Sequence, residues 1–367
     1  MPRSLQPDRK LFGVTLALCL IGTVMVFSAS AVMARDEYGN AYYFLLRQVV
    51  WIAFGIAGMF WLMNTDYRKL RQPRVIFTAL GVTFLLLIAV FFLDRSHGVH
   101  RWIKLGPLNL QPSEFAKLAV IFYLAWFLEL RRAPRGEGVN NVTRTLLPAL
   151  GTVLLMVAMV YKEPDLGTAC MIFFSAAVML FIAGISIRYV VAAAAVAVPV
   201  VAIAILSTPY RLERVKAFFS PASDPQGHGF QLLQSLIAVG SGGVRGVGYM
   251  DGAAKLFYLP EPHTDYIFAN IAQELGLIGS LIVVGLFVFI GWRGMRAAIL
   301  SQDMFARFLA FGITATILMQ AFFNISVVLA LVPTKGITLP FVSYGGTSLF
   351  IMLALVGVLL NVTKEVE

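Results

Sequence analysis

Residues 75–93 read VIFTALGVTFLLLIAVFFL, nineteen consecutive positions without a charge. An α-helix of about 20 apolar residues crosses about 30 Å of hydrocarbon, so this segment is long enough to span a bilayer. Nine further charge-poor blocks occur, at about 11–33, 46–64, 114–130, 145–161, 166–186, 189–207, 273–292, 305–331 and 341–361. The blocks at 114–130 and 145–161 are the least clean, because one holds Lys117 and the other Pro148. Only helices or closed barrels can satisfy their backbone in lipid, and barrel strands would alternate instead of running continuously apolar. The expected fold class is therefore all-α: a polytopic integral membrane protein with about ten transmembrane helices.

Composition agrees. The chain of 367 residues is 59% hydrophobic and 13% charged, whereas soluble domains carry about 25% charged residues. The Lys and Arg distribution sets the orientation. With the N-terminus inside, sixteen basic residues fall on the cytoplasmic side and seven in the short outer loops. Both termini are expected in the cytoplasm. A net charge of +10 then reads as contact with anionic headgroups, and no nucleic acid partner is expected. The first block, about 23 residues, exceeds a usual signal-peptide core and reads as a retained span. Cys19 and Cys170 lie inside spans and read as small buried apolar residues.

No soluble domain or fixed repeat interrupts the chain, which reads as a single membrane domain over 1–367. One connection is unusually long: the outer loop between the seventh and eighth spans, about 208–270. Within it, Phe230, Leu232, Leu233, Leu236, Ile237 and Val239 form an apolar surface around Gln231, Gln234 and Ser235. That segment is too short to span and predicts a re-entrant or interfacial half-helix, stopped at Gly240-Ser-Gly-Gly243. The glycines lack the register and flanking elements of a nucleotide loop. They suit tight turns and close backbone approach instead.

Candidate chemistry clusters on the outer side. The run Leu259-Pro-Glu-Pro-His-Thr-Asp-Tyr-Ile-Phe268 leads into the eighth span and places Asp265 at or just before the helix start. An N-cap is the bland reading; a carboxylate general base at the lipid–water boundary is the functional one. His263 beside it could assist or be an ordinary surface histidine. In Gln111-Pro-Ser-Glu-Phe-Ala-Lys117, Glu114 and Lys117 share a helix face at i, i+3. Charges inside a span either pair merely to be buried or face a cavity. Asp165, in Lys162-Glu-Pro-Asp-Leu-Gly167, suits a cap of the sixth span. Asn324 lies four residues after Gln320, ahead of Pro333-Thr-Lys-Gly336 and Phe341-Val-Ser-Tyr-Gly-Gly-Thr-Ser348. Gly345 and Gly346 there suit close helix packing. Arg101, Lys104, Arg211, Arg214, Lys216, Arg245, Lys255 and Lys335 gather cations on the outer face. With an interfacial carboxylate they point to a lipid-linked phosphate or pyrophosphate.

These motifs resemble the SEDS family (shape, elongation, division and sporulation) of bacterial peptidoglycan polymerases over nearly the whole chain. The resemblance rests on His100-Arg-Trp-Ile103 with Gln111-Pro-Ser-Glu114, Pro164-Asp-Leu-Gly-Thr168, 229–248, Leu259 to Phe268, and Phe341 to Ser348, in that order. Phe27-Ser-Ala-Ser30, Lys255-Leu-Phe-Tyr-Leu-Pro260 and Pro333-Thr-Lys-Gly336 resemble the cell-division, FtsW-like branch more than the elongation, RodA-like branch. Arg245 and Gln273 depart from the usual pattern.

The resemblance implies an inverting glycosyltransferase that polymerises lipid II, the undecaprenyl-pyrophosphate-linked disaccharide pentapeptide, into β-1,4-linked strands. Asp265 matches the family's catalytic aspartate. Glu114, Lys117, Arg101, Asp165, Arg214, Gln234, His263, Lys335 and Ser343 are assigned to substrate binding. A divalent cation (Mg or Mn) could share the leaving-group charge, although the sequence contains no dedicated metal site. The implied partners are a class B penicillin-binding protein transpeptidase and other divisome membrane proteins, at the division septum. Two alternatives stand beside this: a lipid II flippase, and a non-catalytic scaffold for the transpeptidase.

Overall fold

The computed structural model describes residues 6–94, 100–105, 108–132, 138–221, 229–252 and 262–365. The fold is nearly all helical. In chain order the helices are α1 (Arg9–Tyr38), α2 (Tyr43–Asn64), α3 (Pro73–Leu93), α4 (Pro112–Arg132), α5 (Leu147–Lys162), α6 (Leu166–Ile182), α7 (Ile187–Leu206), α8 (Pro209–Phe219), α9 (Phe230–Gly242), α10 (Ile267–Leu300), α11 (Met304–Val328) and α12 (Gly346–Thr363). Among the described residues seven of them, and α5 taken with the helical turn before it (Val142–Lys162), are long and apolar enough to cross a membrane; α6 is apolar but shorter. The chain is a multi-pass membrane protein.

Local signals set many of the ends. Asp8 caps α1 by accepting from the Lys10 and Leu11 amides, and Gly39 closes it in the left-handed region. Pro73 opens α3 at the first turn, where its missing N–H has no intrahelical partner to lose. One small sheet was not expected from the sequence: β1 (Ile103–Leu105) pairs antiparallel with β2 (Leu108–Leu110), Ile103 opposite Leu110. The block expected at 341–361 starts late, at Gly346, because Phe341 takes a left-handed φ of 65° and turns the chain before the helix begins.

Helix α12 is buried along its length, and α2 packs closely along it. At Gly357 a side chain would collide with the Met59 backbone, and at Gly346 with the Trp51 ring. This is the small-residue packing expected between helices in lipid. Helix α7 is the opposite case, with Ala204 its one buried residue.

The long connection between α7 and α10 contains α8 and α9, and α9 covers the predicted half-helix. Helix α9 packs on α10 and buries Leu232, Ser235 and Ala238. Helix α10 is broken at Gly276, with φ 67° and ψ −163°. The break frees backbone groups that the glycine turn after α9 satisfies: the Val247 and Gly248 amides donate to Gln273 O and Glu274 O at 3.0 and 3.2 Å, and the Leu277 and Ile278 amides donate to Gly243 O and Val244 O at 2.9 and 3.2 Å. Buried backbone polar groups require such partners. At Gly242 a side chain would collide with Ala272 O. The close backbone approach expected of this glycine run is therefore what the run provides.

The Gly276 conformation belongs to a region open essentially to glycine alone. Gly276→Ala is expected to destabilise the protein by at least roughly 1–3 kcal/mol, read as a lowered Tm in detergent. Gly285→Ala, later in α10 where an added Cβ meets nothing within 4 Å, is the control. It should leave Tm unchanged or raised, since alanine favours a helix interior by about 1 kcal/mol over glycine.

Candidate active site

Asp265 closes a short turn, 262–266, ahead of α10. Tyr266 takes the N-cap position and makes no side-chain capping bond, so the N-cap reading of Asp265 is corrected by one residue. Three consecutive backbone carbonyls of the turn are held by donors from elsewhere. The Tyr344 amide donates to His263 O at 2.9 Å. The Ser343 hydroxyl donates to Thr264 O at 2.6 Å, and the Asn324 amide group donates to Asp265 O at 2.7 Å. The carboxylate itself is half-buried. On its other side stands Gly336, where a Cβ would lie 2.9 Å from Asp265 Oδ2. A side chain there would displace the carboxylate.

Gly336 also lines a small, partly open cleft with Ile337, Thr338, Gln111, Glu114, Lys117, Thr168, Met171 and Gln320. Glu114 and Lys117 pair inside it at 2.7 Å, both buried, and Lys117 Nζ donates to Gln320 Oε1 at 2.7 Å. Asp165 caps α6 by accepting from the Thr168 amide at 3.0 Å and hydroxyl at 2.8 Å, and it accepts from Gln111 Nε2 at 3.1 Å. Thr347 ties the β2 end in, accepting from the Gln111 amide at 3.2 Å and donating to Asn109 O at 2.9 Å. The separate sequence motifs thus meet at one cleft.

The remaining expected residues divide. Arg214 stacks on Tyr210, 4.4 Å from the ring centroid, and reaches Thr334 O at 3.5 Å. That places it beside Lys335, which is half-buried. Arg101 is directed at the loop backbone instead: it donates to Glu163 O at 3.2 Å and Pro164 O at 2.5 Å, and so holds the approach to Asp165. Ser343 is buried and acts on the Thr264 backbone. His263 is buried between Phe44 and Tyr344, at centroid distances of 4.3 and 5.5 Å. Burial pushes its pKa down to about 4, so it is neutral at physiological pH and adds no cation. Gln234 is half-buried on α9 and does not line the cleft. Lys255 and the stretch 253–261 lie outside the described residues.

Four residues that the sequence did not single out as binding groups belong to the site: Gly336, Thr338, Gln320 and Asn324. The available signal was two amides one helical turn apart in an apolar span. Among the described residues no group of three or more His, Cys, Asp or Glu could hold a metal ion. Glu114 is already paired with Lys117. Among the described residues the donor set does not build a dedicated Mg or Mn site.

Glu163 is fully buried, with neither carboxyl oxygen bonded among the described residues. Burial first, then the neighbouring Asp165 charge, pushes its pKa up to about 8. A raised carboxyl pKa contributes stability below the ordinary value that is lost as pH rises through the folded value. Tm should therefore fall as pH rises from about 5 towards about 8. Glu163→Gln should flatten that dependence in thermal unfolding measured across the window; an unchanged slope would assign it to other groups.

Comparison with known proteins places these features. Residues 9–367 match the family model of the FtsW/RodA/SpoVE cell cycle proteins. Stage V sporulation protein E of Bacillus subtilis is 40% identical over 359 residues, covering 98% of this chain and 97% of that protein. The probable peptidoglycan glycosyltransferase FtsW of Geobacter metallireducens is 40% identical over 357 residues, covering 96% and 94%. Among solved structures, a chain of a peptidoglycan synthase complex, described for its structural coordination of polymerization and crosslinking, superposes with a TM-score of 0.79 at 32% identity over 98% of both chains. The rod shape determining protein RodA of Thermus thermophilus superposes with a TM-score of 0.71 at 28% identity, over 100% of this chain and 99% of that one.

Proposed function

The chain belongs to the FtsW/RodA/SpoVE family of cell cycle proteins, and from that membership and the outer cleft we propose a peptidoglycan glycosyltransferase that polymerises lipid II, with Asp265 as its base. Counting α4 and α6 as crossings, the chain spans the bacterial cytoplasmic membrane ten times, with both termini inside. The cleft then opens at the outer face.

One observation carries the assignment. Asp265, half-buried, sits in a turn whose three successive carbonyls are each held by a donor from elsewhere, and its carboxylate abuts a glycine that lines a cleft with a buried Glu–Lys pair. Asp265 takes the proton from the 4-hydroxyl of one lipid-linked sugar as that oxygen attacks the anomeric carbon of another. The new C–O bond forms on the face opposite the departing group, so the α-linked pyrophosphate gives a β-1,4 link. The bond to the pyrophosphate oxygen breaks, and the lipid pyrophosphate leaves with its electron pair. Arg214 and Lys335, adjacent at Thr334, and Lys117 within the cleft supply positive charge to that leaving group. The proton passes from Asp265 to solvent.

The opposite end of the bundle is crosslinked by polar contacts. Asp8 pairs with Arg293 and its amide donates to Thr363 at 3.1 Å, while Tyr67 donates to Glu365 at 2.6 Å. This favours chemistry at the outer face over a transport path. A class B penicillin-binding protein, which crosslinks the new strands, and other divisome membrane proteins at the septum complete the proposed assembly. The test is glycan formation by the purified protein, with that transpeptidase, from lipid II in detergent. Polymer supports the reading. Lipid II scrambling in vesicles without polymer would replace it with a flippase, and neither activity would leave the scaffold.

A further inference from the structure

Helix α11 carries two amides on one face, Gln320 and Asn324, both buried in an otherwise apolar span. Gln320 accepts from Lys117 Nζ at 2.7 Å and donates to Thr338 O at 3.0 Å. Asn324 donates twice, to Asp265 O and to Ile337 O, each at 2.7 Å. Flipping the Asn324 amide would set its oxygen against two carbonyl oxygens, so both donors are committed to this arrangement. Its Oδ1 has no bonded partner among the described residues. A buried amide is retained there for what its two N–H groups hold.

The two carbonyls belong to segments about seventy residues apart in sequence, and Asn324 joins them directly; Ser343 adds a second link nearby, accepting from the Leu339 amide and donating to Thr264 O. One precedes α10 and carries Asp265. The other follows Gly336, the residue against which the carboxylate rests. We propose that Asn324 is a positioning residue for the polymerisation reaction: it fixes the distance between the Asp265 carboxylate and the cleft wall at 336–338. Gln320 serves the other end by orienting Lys117. This rests on the reading of Asp265 as the base. Small displacements of a reacting group cost rate out of proportion to their size, because the attacking oxygen, base and anomeric carbon must align together.

The experiment measures lipid II polymerisation rates against lipid II concentration, with the full chain and its transpeptidase, for wild type, Asn324→Leu and Gln320→Met. Both substitutions keep similar bulk and replace an amide by an apolar group. Asn324→Leu should lower kcat about 10- to 100-fold with KM within about twofold. Gln320→Met leaves the Asp265 tether in place and loosens Lys117 alone, so it should lower kcat by only about fivefold. A wild-type kcat for Asn324→Leu, or the same loss of kcat in both variants, would overturn the proposal, the second because it would indicate general loosening of α11. Should Asn324→Leu not fold, Asn324→Ser carries the test: one short donor should give an intermediate kcat, and a wild-type value again overturns the idea. Wild type without polymer would sink the functional reading itself, a different result from an insensitive Asn324.

Discussion

Asp265→Asn is expected to lower lipid II polymerisation by about 10²- to 10⁴-fold, the usual contribution of a general base, while Tm and transpeptidase binding stay as in wild type. The turn that carries it is held through the carbonyls of His263, Thr264 and Asp265, none of which the substitution touches. The amide keeps the shape of the carboxylate but cannot take a proton. Asp265→Glu sharpens the test. It restores a base but adds a methylene beside Gly336, where a Cβ would already sit 2.9 Å from Oδ2, so it should recover little activity. Gly336→Ala approaches the same contact from the other side and should also be slow. Equal polymer from wild type and Asp265→Asn in a gel or chromatographic assay would remove Asp265 from the chemistry.

The second large effect concerns Glu114 and Lys117, buried at 5% and 3% exposure. Removing one member of a buried pair strands the other charge and destabilises by about 3–5 kcal/mol. Lys117→Met alone should therefore lower Tm strongly and abolish polymer. Replacing both, Glu114→Gln with Lys117→Met, leaves no stranded charge and should recover most of the stability. Activity is what separates the two readings of this pair. A pair that exists only to be buried predicts an active double variant. A pair that presents a cation to the pyrophosphate predicts a folded protein with activity still lost, and that is the expected result.

The sequence was most informative where a property is local. Hydropathy located most of the long helices to within a few residues, although α10 spans 267–300 where 273–292 was expected, because crossing hydrocarbon demands length and apolarity whatever the neighbours. Asp165 was legible as a cap because capping needs only the residues beside it, and the structure has it accepting from Thr168. The half-helix ending at the glycine run was legible for the same reason. Asp265 was legible as a candidate, but its bare residue chemistry fitted a cap as well, and only the resemblance to a family favoured catalysis.

Other features turn on distant contacts. Arg101 and Ser343 looked like binding groups, being polar and on the outer side. The fold directs one at the Glu163 and Pro164 carbonyls and the other at Thr264. His263 looked exposed beside two prolines and is instead enclosed by Phe44 and Tyr344. The break at Gly276 gave no local warning, because it is stabilised by backbone groups of the turn after α9.

By itself, then, the sequence determined that this is a helical membrane protein with polar chemistry at one face and Asp265 among its candidates. The tertiary structure alone decided which helix is central and what surrounds that carboxylate. Helices α7 and α12 are both strongly apolar, yet one is largely exposed and the other buried. Lipid tails and protein interior are equally apolar, so hydropathy cannot separate them, and the choice falls to packing of small residues such as Gly346 and Gly357. The approach of Gly336 and Asn324 to Asp265 is likewise a property of how the helices pack, since no local pattern encodes a contact between segments so far apart along the chain.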